Sequence, residues 1–210
     1  MIEFEPAHRV RGLPLARASR ISKLLAWSST ILVAFGCVMA VVPALRAQQA
    51  KPSEYAVKAT YLFNFARFTE WPTGPAGATA DAFTICVLGQ DPFGGALDAT
   101  LAGEAIEGKP VVAKRISKAQ NSASCRILFI SASEEARLKE ILAAIDKSSV
   151  LTVSDMPQFS RRGGMIQFVL EGSRVRFEVN LTNAQNAGLT LSSELLKVSV
   201  AVRRNIQEGN

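Results

Sequence analysis

The chain has 210 residues, of which 48% are hydrophobic and 20% charged, so it is long enough for one domain with a real core and too short for two large ones. Its net charge is +6, but removal of the residues before Gln48 leaves 18 basic and 16 acidic residues. A net charge of only +2 argues against a nucleic-acid partner. The one histidine, His8, also precedes Gln48, so a chain that begins there has no imidazole for a catalytic pair or a zinc site.

A signal peptide is predicted over residues 1–47. Five basic residues between Arg9 and Lys23 precede an uncharged stretch, residues 24–45, and small residues follow it. We place the cleavage site after Ala47, which delivers the mature chain to the periplasm. A retained membrane anchor is the alternative, because the apolar stretch is nearly long enough to span a bilayer.

Two cysteines, Cys86 and Cys125, remain if Cys37 leaves with the leader. The periplasm oxidises thiols, so a disulfide between them is expected. Each cysteine also lies beside a strongly apolar run, and the alternative is two small buried residues without a bond.

The mature chain alternates between helical and strand patterns after a loose segment, residues 48–53. The first helix, residues 54–69, is apolar almost all round and is stopped by Trp71-Pro72, because a residue before proline disfavours the helical conformation. Asp91 is expected to cap a second helix that starts at Pro92. This second helix ends at about residue 101, and a third helix is predicted over residues 134–146. The predicted strands are residues 82–88, 111–116, 126–131 and 150–153. This order predicts an α/β three-layer sandwich, with a mixed, mainly parallel sheet and helices on both faces.

Strict alternation then predicts a C-terminal β-hairpin with its turn at Gly172-Ser173. One face of the hairpin is apolar, and the polar groups collect on the other face. The opposite pairs in this register are Leu170 and Val175, Phe168 and Phe177, Ile166 and Val179, Glu171 and Arg174, Val169 and Arg176, and Gln167 and Glu178. After the hairpin, Ser192 is expected to cap a last helix that ends at Arg203-Arg204, where basic side chains favour the helix dipole.

The polar face of the hairpin holds the candidate regulatory residues. Glu178 is flanked on its strand by Arg176 and Asn180 and lies opposite Gln167. A carboxylate covered there by a helix or a partner needs such neighbours, so we predict that these four residues are partner-binding or regulatory. The alternative is a cross-strand ion pair on a solvated face. Since no second acid and no nucleophile with its base accompany Glu178, neither an enzyme nor a cofactor is predicted, and no metal site is expected.

Several short blocks along the mature chain, in this order and spacing, resemble the YfiR family of periplasmic regulators. The resemblance runs from about Glu54 to Val202. The blocks are Glu54-Tyr55, Lys58-Ala59-Thr60-Tyr61-Leu62-Phe63-Asn64-Phe65, Phe68, Trp71-Pro72, Ile85-Cys86-Val87-Leu88-Gly89, Asp91-Pro92-Phe93-Gly94, Val150-Leu151-Thr152-Val153-Ser154-Asp155, Gly163-Gly164-Met165-Ile166, Arg176-Phe177-Glu178-Val179-Asn180-Leu181, Gly188-Leu189, Ser192-Ser193 and Leu195-Leu196.

The resemblance implies a domain that binds the periplasmic part of an inner-membrane diguanylate cyclase and holds it inactive, which lowers cyclic di-GMP and biofilm formation. It also implies a homodimer, a cysteine pair that matches Cys86 and Cys125, and a functional role for Glu178. The best-known member has a second cysteine pair near the double glycine, where this chain has Ser160 and Gln167, and that difference puts redox regulation in doubt.

The sequence thus predicts a signal peptide, a loose segment, a single domain over residues 54–204 and a tail over residues 205–210. The function indicated is repression of an inner-membrane diguanylate cyclase, without catalysis. A periplasmic small-ligand sensor that feeds another membrane receptor, such as a sensor kinase, is the alternative, and a small-molecule ligand is left open.

Overall fold

The structure, a computed structural model, describes residues 53–72, 81–146 and 148–204. The predicted signal peptide, the loose segment up to residue 52 and the predicted tail lie outside these residues. The helices are α1 (Glu54–Arg67), α2 (Gly95–Leu101), α3 (Leu138–Ala144), α4 (Leu181–Asn186) and α5 (Ser193–Val198), with 3-10 helices at Ala119–Ser124 and Ala132–Arg137. The strands are β1 (Thr69–Glu70), β2 (Phe83–Leu88), β3 (Ala105–Ile106), β4 (Lys109–Ile116), β5 (Ile127–Ile130), β6 (Leu151–Ser154), β7 (Ile166–Glu171), β8 (Arg174–Asn180), β9 (Thr190–Leu191) and β10 (Ala201–Arg203).

Eight of these strands form one sheet in the order β10-β8-β7-β6-β5-β2-β4-β3. The pairs are parallel except for the hairpin β7–β8 and the short pair β3–β4. The predicted mixed, mainly parallel sheet with a C-terminal hairpin is therefore confirmed. The hairpin also has the predicted register throughout, with Gln167 opposite Glu178.

The central strands β2, β5 and β6 are buried on both faces, which divides the core into two clusters. Ile85, Phe129 and Val153 point to the cluster that contains α1, whereas Cys86 and Leu128 point to the cluster that contains α3. Successive strand residues face opposite sides, so each strand supplies both clusters. This arrangement is the expected three-layer sandwich.

Helix α1 ends two residues before its predicted end. Its start is set by Ser53, whose Oγ accepts a hydrogen bond from the Ala56 amide at 3.2 Å. Thr69 lies outside the helix because it pairs with Leu191 in the small antiparallel pair β1–β9. A partner distant in sequence therefore decides where the helix ends.

The second helix was predicted to start at Pro92 but starts at Gly95. Asp91 does cap a turn, since its Oδ1 accepts a hydrogen bond from the Phe93 amide at 2.8 Å, but Gly94 has a φ of +54° that interrupts the helical path. The helix predicted over residues 134–146 is also divided, because a 3-10 helix occupies its first part.

The last helix was predicted to reach Arg203-Arg204, and this prediction is wrong. Ser192 caps α5 as expected, but the helix ends at Val198 and the chain continues as β10, parallel to β8. The stretch from residue 198 to residue 202 alternates and is rich in valine, which favours a strand where a sheet edge is open. The segment after the hairpin also contains α4, which was not predicted.

Cys86 and Cys125 form the predicted disulfide, with their Cα atoms 5.7 Å apart. Both residues are buried in the cluster that contains α3. Cys86 lies on β2 and Cys125 just before β5, so the bond crosslinks two neighbouring central strands. Among the described residues, no helix combines the length and the apolar character needed to cross a membrane.

Reduction of this disulfide should destabilise the domain by about 2–4 kcal/mol, because the bond constrains a long loop in the unfolded chain. The measurement is denaturant unfolding of the oxidised and the reduced protein at one pH. The double variant Cys86→Ala/Cys125→Ala is the control, and its unfolding should not respond to reductant. Identical curves for the oxidised and the fully reduced wild-type protein would contradict the prediction.

Candidate functional site on the hairpin

The polar face of the hairpin is covered at one end by residues 156–164, which we call the cover segment. It follows β6 and returns the chain to β7 in turns. Met156 and Phe159 are fully buried and anchor this segment in the cluster that contains α3. The anchoring places Ser160 against the hairpin.

Ser160 is fully buried and joins three of the predicted site residues to the cover segment. Its amide donates a hydrogen bond to Gln167 Oε1 at 3.1 Å, and its carbonyl accepts one from Asn180 Nδ2 at 2.8 Å. Its hydroxyl lies 2.9 Å from Glu178 Oε2 and 3.2 Å from Gln167 Oε1. The hydroxyl has one proton, and the shorter bond to the charged acceptor is the stronger one.

Arg203 supplies the counter-charge of Glu178. Its Nη2 lies 3.0 Å from Glu178 Oε2, and its Nε donates a hydrogen bond to Ser160 Oγ at 3.2 Å. This geometry depends on β10, because the strand pairing places Ala201 beside Glu178 and Arg203 beside Asn180. One carboxylate thus ties the last strand to both the hairpin and the cover segment.

The environment of Glu178 favours its charged form. Partial burial by itself would raise the pKa of this carboxyl, but hydrogen bonds from Arg203 and Ser160, together with the charges of Arg203 and Arg161, outweigh it. The net pKa therefore lies below the usual value for glutamate. A carboxylate so held is a weak proton acceptor at neutral pH, which suits recognition better than acid–base chemistry.

Arg176 does not pair with Glu178, although the two residues are neighbours on one face of β8. Its Nη2 makes a long hydrogen bond of 3.4 Å to the carbonyl of Val198, and its Nε is buried without an acceptor among the described residues. The structure therefore gathers Gln167, Glu178 and Asn180 into one network and leaves Arg176 at its edge.

Arg203 and Ser160 were not among the residues predicted for this site. Arg203 was placed at a helix end, although the alternation before it could have indicated a strand. Ser160 had been noted only where the resemblance implies a cysteine, together with Gln167. In the structure, Ser160 and Gln167 are in hydrogen-bond contact.

A second polar cluster lies where α1 begins and β6 ends. The Lys58 side chain is only 3% exposed, and its Nζ is 2.7 Å from Asp155 Oδ2. The Tyr55 hydroxyl donates to the same oxygen at 2.9 Å, and Glu54 is a further partner of Lys58. Burial, with the hydrogen bond to Asp155, raises the pKa of Tyr55 to about 12. These residues belong to blocks that carry the family resemblance, and their role here is to pair a buried charge.

The described residues contain no group of three or more histidine, cysteine, aspartate or glutamate side chains that could hold a metal ion. What the hairpin offers is a set of partly exposed charges held in place by buried amides. Such a set can recognise a complementary surface.

Replacement of Gly164 by alanine should destabilise the domain by about 1–3 kcal/mol, because a Cβ there would lie 2.0 Å from the buried ring of Phe159. Denaturant unfolding measures the loss. Gly95→Ala is the matched control, since a Cβ at Gly95 meets nothing within 4 Å. Equal stabilities of the two variants would contradict this account of the cover segment.

Glu178→Gln should lower the free energy of unfolding by roughly 1–2 kcal/mol at pH 7, since it removes the charge that Arg203 and Ser160 stabilise. Because the folded-state pKa is lowered, this contribution is complete above the unfolded pKa of about 4.3 and is lost as the pH falls through the folded pKa. The stability difference between wild type and variant should therefore shrink below about pH 4.

The measurement is denaturant unfolding at several pH values, with the exposed Glu104→Gln as control. A difference that stays constant down to the acid limit would contradict the pairing of Glu178.

The fold has a counterpart among solved structures. A crystal structure of a conserved domain protein from Vibrio cholerae O1 biovar El Tor superposes with a TM-score of 0.52 at 10% identity, over 72% of this chain and 60% of that chain. The ABC domain in complex with L-Trp from Streptococcus pneumonia matches with a TM-score of 0.49 at 12% identity, over 69% and 62% of the two chains. The first likeness shows the fold alone, and this chain spans about 60% of the length of these structures.

No curated protein matches the chain significantly in sequence. The profile of the family described as YfiR/HmsC-like matches residues 55–200, which include all but the first residue of α1, strands β2 to β8 of the central sheet and the cover segment. Since the match takes in well over half of the residues, the chain belongs to the YfiR/HmsC-like family.

Proposed function

We propose that this protein is a periplasmic regulator that binds an inner-membrane diguanylate cyclase and represses it, which lowers cyclic di-GMP and biofilm formation. The observation that carries the proposal is family membership across residues 55–200. The family is regulatory and not catalytic, and it is associated with diguanylate cyclase signalling. The predicted leader supports export to the periplasm, where cytoplasmic nucleotides can be influenced only through a membrane protein.

Repression requires that the protein bind the inactive state of the cyclase more tightly than the active state, because equal affinity for both would shift nothing. The protein acts in this proposal as a ligand of the cyclase, without a reaction of its own. A homodimer, which the family resemblance implies, would carry two copies of the hairpin site.

Within this proposal, the four predicted site residues have two kinds of role. Glu178 and Arg176 are partly exposed and can touch the partner, whereas Gln167 and Asn180 are buried, at 8% and 5% exposure. The two buried amides act through Ser160, whose position they fix. Glu178 is then the centre of the regulatory surface.

A ligand sensor is the second candidate, and one observation favours it. A cleft of about 420 Å³ lies between α3, α4 and the end of the cover segment, within the size range of small-molecule sites. Leu142 and Met165 contribute apolar surface to it, and Lys139 and Asn183 contribute polar groups.

Deletion of the gene should raise cyclic di-GMP, and wild-type protein supplied from a plasmid should restore the lower level. Glu178→Ala should fail to restore it even at a periplasmic abundance equal to that of wild type, although it also loses the roughly 1–2 kcal/mol that the pairing of Glu178 contributes. Glu104→Ala, at an exposed glutamate outside the site, is the matched control and should restore the level. The readout is the cellular concentration of cyclic di-GMP at equal protein abundance.

Unchanged cyclic di-GMP on deletion, with the cyclase expressed, would refute the repressor proposal and favour the sensor. If Glu178→Ala lost function only in proportion to its abundance, the role of Glu178 would be structural.

A further inference from the structure

Four arginines surround the uncovered part of the hairpin's polar face. They are Arg161 within the cover segment, Arg174 and Arg176 on β8, and Arg203 on β10. We call this set the arginine surface. Its members come from three separate stretches of the chain, so the sequence pattern of any one stretch does not reveal it.

The arginine surface carries excess positive charge. Its acids are Glu178, which Arg203 already pairs, and Glu171, which lies opposite Arg174 in the hairpin. Four arginines against two glutamates leave two charges uncompensated. Arg161 and Arg174 are exposed, and the field of Arg161 reaches Glu178, whose pKa it helps to lower.

Arg176 is not fully paired among the described residues. Its hydrogen bond to the carbonyl of Val198 is long, at 3.4 Å, and its buried Nε has no acceptor among the described residues. The Val198 side chain beside it is 56% exposed, so an apolar group adjoins the guanidinium. Arginine beside exposed apolar area is typical of the residues that dominate protein interfaces.

Paired strands fix the backbone positions of Arg174, Arg176 and Arg203. Strand β8 is paired on both sides, with β7 and with β10, and Arg203 is tied to Glu178. A planar guanidinium at a fixed position suits paired hydrogen bonds to a carboxylate. Recognition of an anionic membrane instead uses clusters of basic residues on juxtamembrane segments or amphipathic helices. The geometry therefore favours a protein partner with carboxylates.

We propose that the arginine surface is the docking site for an acidic segment of the protein that this chain regulates. The proposal rests on the proposed function and adds the chemistry of the contact. Glu178 then orders the surface, because it keeps Arg203 and β10 in place beside Arg176.

The test uses the double variant Arg161→Glu/Arg174→Glu, which changes two exposed side chains and leaves Arg176 and Arg203 in position. The probe is the purified periplasmic domain of the diguanylate cyclase whose activity rises on deletion of the gene. We expect at least about a ten-fold loss of affinity for the double variant. The milder Arg161→Gln/Arg174→Gln should lose less, and wild-type affinity should fall with added salt. Lys114→Glu/Lys118→Glu changes the charge equally, at exposed positions on β4 and just after it, and should bind like wild type.

Full binding by Arg161→Glu/Arg174→Glu, with an unfolding midpoint like that of wild type, would overturn the docking site and leave the repressor function standing. A wild-type protein that neither binds the cyclase domain nor affects cyclic di-GMP would overturn both. Vesicles of phosphatidylglycerol are the second probe. If the double variant lost vesicle binding but still bound the cyclase domain like wild type, the arginine surface would be a membrane-binding surface, and the proposal would be wrong.

Discussion

The whole structure depends on three short strands that are buried on both faces, Phe83–Leu88, Ile127–Ile130 and Leu151–Ser154. Their side chains are almost all apolar, so water must be excluded from both sides of the sheet. Helix α1 covers one side with Leu62 and Phe65, and α3 with the 3-10 helix Ala119–Ser124 covers the other. The disulfide lies on this second side, where the covering elements are short, and it crosslinks two of the three strands.

The same constraint places charges where parallel strands end. Asp155 comes directly after β6 and meets Lys58, which α1 carries into a nearly dry position. A buried ammonium is stable there only because Asp155 and Glu54 pair with it. The packing of α1 across the sheet therefore fixes both the apolar contacts of Leu62 and Phe65 and the ion pair of Lys58 with Asp155. A displacement of the helix would break both.

The cover segment links this core to the polar face of the hairpin. Gly164 has no side chain, so the ring of Phe159 can pack against its backbone, and Phe159 in turn holds Ser160 against the hairpin. Ser160 then organises Gln167, Asn180 and Glu178, and Glu178 holds Arg203. The positions of Glu178 and Arg203 on the surface that we propose for docking are thus set by core packing several residues away. The YfiR/HmsC-like family match spans these elements up to residue 200.

The sequence by itself determined the features that depend on neighbouring residues. Period-two alternation gave the hairpin register, because a shift of one residue would turn every apolar side chain to the wrong face. Alternating strand and helix patterns likewise gave the mixed sheet between helices, and the two cysteines gave the disulfide. Glu178 and its amide neighbours were found because they share one strand face or a register position. Only the tertiary structure decided the partner of that carboxylate. The sequence from Val198 to Arg203 is compatible with a helix end or with a strand. It forms a strand because it pairs with the open edge of β8. This pairing brings Arg203 to Glu178, so the carboxylate pairs with Arg203 and not with Arg176.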